Sequence, residues 1–143
     1  MSLENTKKWF EQAIPEPTIE HACIQLGCHY EEVAEMLAAT GDSSAMESVE
    51  IVANHYKKLT ESYLESVELT QPEHKQELLD SLADQIVTAV GVAHMMGFDI
   101  LGALDEVNRS NFSKFEDGKP VFDANGKITK GKNYVKPNLE RFV

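Results

Sequence analysis

Apolar residues recur along most of this chain at spacings of three and four, the period of helices that bury one face. A short amphipathic stretch over about 5–13 is stopped by Pro15 and Pro17. Thr18 then offers a cap for a long helix over about 19–40, closed by Gly41. Ser43 or Ser44 caps a third helix running to about 67, with Val49, Val52, Ala53, Tyr56, Leu59 and Tyr63 at helical spacing. Gln71 and Pro72 open a fourth, the proline at a favourable first-turn position, and it reaches Met96 before Gly97 ends it. A shorter fifth helix covers about 99–113. Beyond it the pattern changes: turn dipeptides (Asp117-Gly118, Asn125-Gly126) alternate with short β-leaning pieces at 120–122 and 127–129, the mark of a small hairpin or ordered loop. Helices of this length on short loops predict an all-α antiparallel bundle of four or five helices with a short C-terminal hairpin or loop.

At 143 residues the chain fits one domain, a helical body over about 5–113 with a tail over about 114–143. No apolar run approaches the roughly 18 residues that span a bilayer, and the first ten residues lack an apolar signal core. Cys23 and Cys28 lie five apart on one predicted helix and point to different sides, so a reduced, cytoplasmic setting is expected. The net charge of −11 argues against a nucleic-acid partner. Its distribution is uneven, with 20 acidic against 6 basic residues before position 114 and 4 against 7 after it. An acidic body with a basic tail suits a ligand whose anionic groups are metal-bound: carboxylates hold the cation and lysines take the remaining phosphate charge.

Two acidic stripes carry the candidate chemistry. Glu31, Glu32 and Glu35 fall within a sector about 100° wide at helical geometry. They interrupt an otherwise apolar stripe, and uncompensated burial of three carboxylates costs several kcal/mol per ion, so a cation should face them. On the fourth helix Glu77, Asp80, Ser81, Asp84, Thr88, Gly91 and Met95 follow one another three or four apart. Facing carboxylate stripes offer oxygen ligands only, which suits Mg²⁺ or Mn²⁺ and is poor for zinc or copper. A di-iron bundle needs Glu-x-x-His pairs; here Thr18, Leu26, Val52, Gln71 and Gly91 stand three residues before the five histidines.

With "EEVAE" (31–35), "SLAD" (81–84) and "GFDILGALDEVNRSNFSKF" (97–115), the chain resembles the all-α nucleoside triphosphate pyrophosphohydrolases, which include MazG-like enzymes, dimeric dUTPases and phosphoribosyl-ATP pyrophosphohydrolase. The first and third stretches match the family's E-E-x-x-E and E-V-x-x-x-N-x-S-K patterns, and the second stands where the family has E-x-x-D. A tail like "DGKPVFDANGKITKGKNY" recurs in MazG-like members, many of them phage-encoded. The likeness covers about residues 9–137. It implies hydrolysis of a (d)NTP to the monophosphate and pyrophosphate with Mg²⁺, in house-cleaning or nucleotide-pool control. It also implies that sites are completed between chains, in a homodimer or a dimer of dimers. Carried over by position, Glu32, Glu35 and Asp84 are metal ligands, and Glu31 is a further ligand or the base that orients the attacking water. Asn111 and Lys114 hold phosphate oxygens with Arg109, while Lys127, Lys130, Lys132 and Tyr134 close over the nucleotide. One position departs from the pattern: Ser81 stands where the family has glutamate. Asp80, about a turn before Asp84, is the carboxylate placed to replace it. A catalytically impaired nucleotide-binding or interaction protein of the same fold is the alternative that this departure keeps open.

The remaining candidates read as structural. Trp9 and Phe10 are expected in the core, His29 and His94 as interior or boundary residues, and both cysteines as small buried hydrophobes. Asp105 and Glu106 are expected to bond Arg109 or a neighbouring chain, and Lys57 and Lys58 to lie on a solvated face.

Overall fold

The computed structural model describes residues 2–143 and is mainly helical. Six helices run in chain order: α1 (Ser2–Ala13), α2 (Ile19–Ala39), α3 (Ser43–Lys57), α4 (Glu61–Glu68), α5 (Pro72–Met95) and α6 (Ile100–Phe112). A two-stranded sheet, β1 (Val121–Phe122) and β2 (Ile128–Thr129), and a 3-10 turn at Glu140–Phe142 complete the described elements. The chain forms two compact units, one of Glu16–Pro72 and the other of the N-terminal segment to Pro15 with Glu73–Val143. No single helix is long and apolar enough to cross a membrane among the described residues.

The contiguous unit is built on α2, against which both α3 and α4 pack. Thr18 caps α2 as expected: its hydroxyl accepts from the His21 N–H (3.3 Å), and His21 Nδ1 accepts from the Thr18 N–H (3.0 Å). That reciprocal pair uses histidine where glutamate or glutamine is usual. Gly41, at φ +86°, ends the helix. The cap of α3 is Asp42 rather than Ser43 or Ser44, its carboxylate accepting from the Ala45 N–H at 3.0 Å.

The expected single helix over about 44–67 is instead two, α3 and α4, broken at Lys58–Thr60 without help from glycine or proline. Leu59 takes φ +55°, a conformation that L side chains rarely adopt, and the Thr60 N–H reaches back to the His55 carbonyl at 3.1 Å. The break lets α4 turn back so that Tyr63 stacks on His55 (4.9 Å between centroids) and meets Tyr56 edge-on (4.8 Å). Tyr56 in turn stacks on Tyr30 of α2 (5.6 Å). Burial, with the neighbouring Tyr30 second, raises the Tyr56 phenol pKa. Aromatic packing thus offsets a strained residue that a continuous helix would have avoided.

In the discontinuous unit the core is Trp9, Ala13 and Phe115, with Ile14, Phe112 and Ile128 against it. Trp9 is 7% exposed and stacks flat on Phe115 at 5.5 Å, so it is a core residue as expected. Phe10 instead stays at the surface. His29 and His94 are also exposed, not interior or boundary residues. Buried Asn108 pins α1 to α6: its amide donates to the Ser2 carbonyl (2.8 Å) and accepts from the Thr6 hydroxyl (2.9 Å).

The expected hairpin is present, with Val121 opposite Thr129 and Phe122 opposite Ile128. The Asp123 carboxylate accepts from the Asn125 and Lys127 N–H groups (2.9 and 3.0 Å), and Gly126 takes φ +79°. Asp117 and Gly118, both at positive φ, make the tight turn between Glu116 and Lys119.

At Gly27, α2 lies close against α3. A Cβ there would sit 2.8 Å from the Ala53 carbonyl oxygen and 2.8 Å from the Lys57 nitrogen, both main-chain atoms of α3. Neither can swing aside. Gly27→Ala is therefore expected to destabilise the chain by about 1–3 kcal/mol, seen as a lower urea midpoint; an unchanged midpoint would show that the helices do not approach this closely.

Candidate functional site

The acidic face of α2 differs from the sequence expectation in one informative way. Of its three carboxylates, Glu31 alone is half-buried, and it pairs with Lys57 Nζ of α3 at 3.1 Å. Lys57 is therefore not on a solvated face; its side chain is 21% exposed against 33% for Glu31. The cation that helical periodicity demanded for this residue is a lysine of the next helix. The pairing follows from the fold: Gly27 lets α2 and α3 approach, and the Lys57 stem lies across the gap, its Cγ nearest the space a Cβ at 27 would fill. Glu32 and Glu35 are exposed. Burial along α2 follows Cys23, Ile24, Gly27 and Ala34, so the face packed on α3 and α4 passes beside these two acids. Cys23 is a buried thiol, its pKa raised by burial, and Cys28 is half-buried.

Asp80, Ser81 and Asp84 lie on α5, in the other compact unit, and all three are exposed. Among the described residues no three His, Cys, Asp or Glu side chains gather as a metal-binding group. Mg²⁺ prefers about six oxygens in octahedral array, most of them waters when the protein supplies one or two carboxylates. Glu32 and Glu35, a turn apart, are at most the beginning of such a set.

The phosphate-binding candidates occupy the end of α6 and the tail that returns to it. Arg109 is a two-pronged partner of Glu106, its Nε and one Nη donating at 2.8 and 2.7 Å, which bears out the expected bond between these residues. The same Nη donates to the Lys136 carbonyl at 3.1 Å, and Glu106 also accepts from the Asn138 N–H at 2.9 Å. Ser113 faces the tail in both directions, its hydroxyl oxygen accepting from the Val135 N–H (2.9 Å) and its O–H lying 3.3 Å from the Val135 carbonyl. The Gly131 N–H donates to the Lys114 carbonyl at 3.1 Å. A Cβ at 131 would lie 2.6 Å from that carbonyl oxygen, so glycine is what permits the contact. Phe142 seats its ring where a Cβ on Gly102 would be, 2.5 Å from it, and its carbonyl accepts from the Asp99 N–H at 2.8 Å.

Residues far apart in sequence are thereby gathered. Lys114 lies with its Nζ 5.9 Å from the Trp9 ring, and Lys130 stands 4.8 Å over the Tyr134 ring. Asn111 is half-buried one turn before Lys114, Lys127 is half-buried on the hairpin, and Lys132 is exposed. Ser113, Gly131 and Lys57, which shape these sites, did not stand out in the sequence. Only the first had a signal, its place within the asparagine-serine-lysine segment. Compared with protein-family models, curated proteins and solved structures, the chain matches none of them.

The Arg109 fork, then the Asn138 N–H, bind the ionised form of Glu106 and lower its pKa from the ordinary 4.5 to about 2. The tail attachment is therefore complete above about pH 4.5 and is lost as pH falls through about 2. The Asn138 amide chemical shift is expected to titrate with a midpoint near 2, and Glu106→Gln to remove that titration. A midpoint at the ordinary glutamate value would mean that the fork does not form.

Proposed function

We propose that the chain is an Mg²⁺-dependent nucleoside triphosphate pyrophosphohydrolase of the all-α type, converting a (d)NTP to its monophosphate and pyrophosphate. The observation that carries the reading is the return of the tail onto α6. Gly131 and Val135 are hydrogen-bonded at Lys114 and Ser113, which brings Lys130 and Tyr134 to the helix end that bears Asn111 and Lys114. The resemblance implies that Asn111, Lys114, Lys130 and Tyr134 hold the phosphates and the nucleotide.

In this reading the lysines supply the positive charge a triphosphate needs, and Tyr134, already under one cation, offers a flat face for a base. Asn111 donates to a phosphate oxygen from the helical face it shares with Lys114. Arg109 acts at one remove, because its fork is committed to Glu106 and the tail; its part is to position the segment that carries the lysines. Glu32 and Glu35 are the exposed carboxylates for the cation, and Asp84, with or without Asp80, is added on the resemblance alone. Glu31, paired with Lys57, fits the base that orients water less well than an unpaired carboxylate would. The same resemblance supplies the bundle type and the completion of sites between copies.

A second reading has its own support. Ser81 in the place of a family glutamate, with no three metal-ligating side chains gathered among the described residues, favours a protein that binds nucleotides without hydrolysing them.

A panel of canonical and modified (d)NTPs with Mg²⁺, read by pyrophosphate release, separates the two. Release from at least one substrate is expected, and Glu35→Gln should lower it by 100-fold or more, about 2.7 kcal/mol of barrier. Lys114→Ala should raise KM more than it lowers kcat. No release from any substrate, with nucleotide binding retained, would establish the second reading.

A further inference from the structure

The break between α3 and α4 falls where the local sequence gives no reason to stop. Among the described residues, Leu59 and Asp117 are those other than glycine that take positive φ. Asp117 is at home in its tight turn beside Gly118, whereas leucine at φ +55° is strained. Glycine is the usual residue at this position, one past the end of a helix. The apolar stripe of α3 also runs on through the break, since Val49, Val52, Ala53, Tyr56, Leu59 and Tyr63 share one sector at helical geometry.

The main-chain hydrogen bonds at the break are arranged for exchange. The Leu59 N–H donates to the Tyr56 carbonyl and the Thr60 N–H to the His55 carbonyl, each at 3.1 Å. In a continuous helix, where each N–H bonds four residues back, the same two donors would serve the same two carbonyls with partners swapped, Leu59 to His55 and Thr60 to Tyr56. Neither form leaves any of the four groups unpaired. Straightening also gives helical partners to the Glu61 and Ser62 N–H groups, which the first turn of a separate helix cannot supply. Side chains oppose this, chiefly through His55: its Nδ1 lies 3.1 Å from the Thr60 hydroxyl and its ring stacks on Tyr63, which meets Tyr56 edge-on. The Thr60 hydroxyl, turned to His55, does not cap α4. This helix is eight residues long, with Tyr63, Leu64 and Val67 half-buried and its other side chains exposed. Short elements with few buried contacts lie at the low-stability end of a fold.

We infer that α4 is a hinged flap with two positions. In one it folds back on α2 about a left-handed Leu59, as the structure has it; in the other it continues α3 as a single helix over 43–68. Strain at Leu59 and the bonds regained by Glu61 and Ser62 favour the extended position. The contacts among His55, Thr60, Tyr63 and Tyr56 favour the folded one. Opening the flap uncovers the ring face of His55 and the side of Tyr56 that Tyr63 covers.

Nuclear magnetic relaxation dispersion on the isotope-labelled full chain tests it, with the HN–Hα coupling of residue 59 as the measure of its φ. The wild type should show microsecond-to-millisecond exchange at the amides of Leu59, Thr60 and Tyr63. Leu59→Gly relieves the folded position and weakens the extended helix, so it should raise the folded-to-extended ratio about 5–30-fold and suppress that exchange. Tyr63→Ala should shift the ratio about fivefold or more the other way, moving the residue-59 coupling toward its helical value while Cα shifts over 61–68 stay helical. A wild type without exchange, a Leu59→Gly chain that keeps it, or a Tyr63→Ala chain whose residue 59 stays left-handed would each overturn the inference. So would coil shifts over 61–68 in Tyr63→Ala, which would mean that α4 melts instead of joining α3. None of these side chains is a proposed nucleotide ligand, so the result stands apart from the enzyme reading.

Discussion

A carboxylate drawn out of water needs a positive partner, and the two compact units meet this need with their own side chains. In the contiguous unit Lys57 reaches Glu31 across the gap that Gly27 keeps narrow. In the discontinuous unit Arg109 grips Glu106 with both prongs and adds a main-chain carbonyl of the tail. The first pairing depends on two helices lying close enough for a lysine stem to cross between them. The second ties the end of the chain to α6. Glu31 and Glu106 are engaged in these pairings, while Glu32 and Glu35 are exposed.

The tail illustrates how a loop with little regular structure is held without a large core. Its fixed points are the Ser113 hydroxyl, the Lys114 carbonyl, the Glu106 carboxylate and the Asp99 N–H, spread along one helix and its flanks. Two glycines make room at either end, Gly131 for a main-chain contact and Gly102 for the Phe142 ring. Since hydrogen bonds between exposed groups contribute little each, attachment at several points is what gives the segment one course. Under the proposed function, a basic tail held in this way would be in place before the nucleotide, which would lower the entropy that binding costs.

Punctuation made much of the architecture legible from the sequence. Pro15, Pro17, Gly41, Pro72 and Gly97 delimit helices within a residue or two of where they end, and Asp117-Gly118 and Asn125-Gly126 mark turns that form. The break at Leu59 was not legible, because its cause is tertiary: Tyr63 gains two aromatic partners only if the helix stops. Periodicity placed Glu31, Glu32 and Glu35 on one face but could not say which of them faces a neighbour. Nor could it foresee that the cation for the half-buried one would be Lys57, since a lysine beside an acid across two helices leaves no pattern along the chain. The lysines of the tail were legible as charge, and their gathering at α6 was not, since it depends on a serine hydroxyl and a glycine.

The order in which the two units can form follows from their connectivity. Residues 16–72 are continuous and close on themselves, so they can fold as soon as they leave the ribosome. The other unit needs α1, which is made first, together with α6, the hairpin and the seat of Phe142 on Gly102, which are made last. At roughly 5–20 residues per second the intervening synthesis takes seconds. Through that interval α1 holds Trp9 ready for a Phe115 that does not yet exist, and α5, with Leu79 and Met95 exposed, emerges before α6 and the tail. A ribosome that pauses late in this message would therefore expose a finished inner unit flanked by two sticky, unfinished segments, the state in which a chaperone would meet this protein.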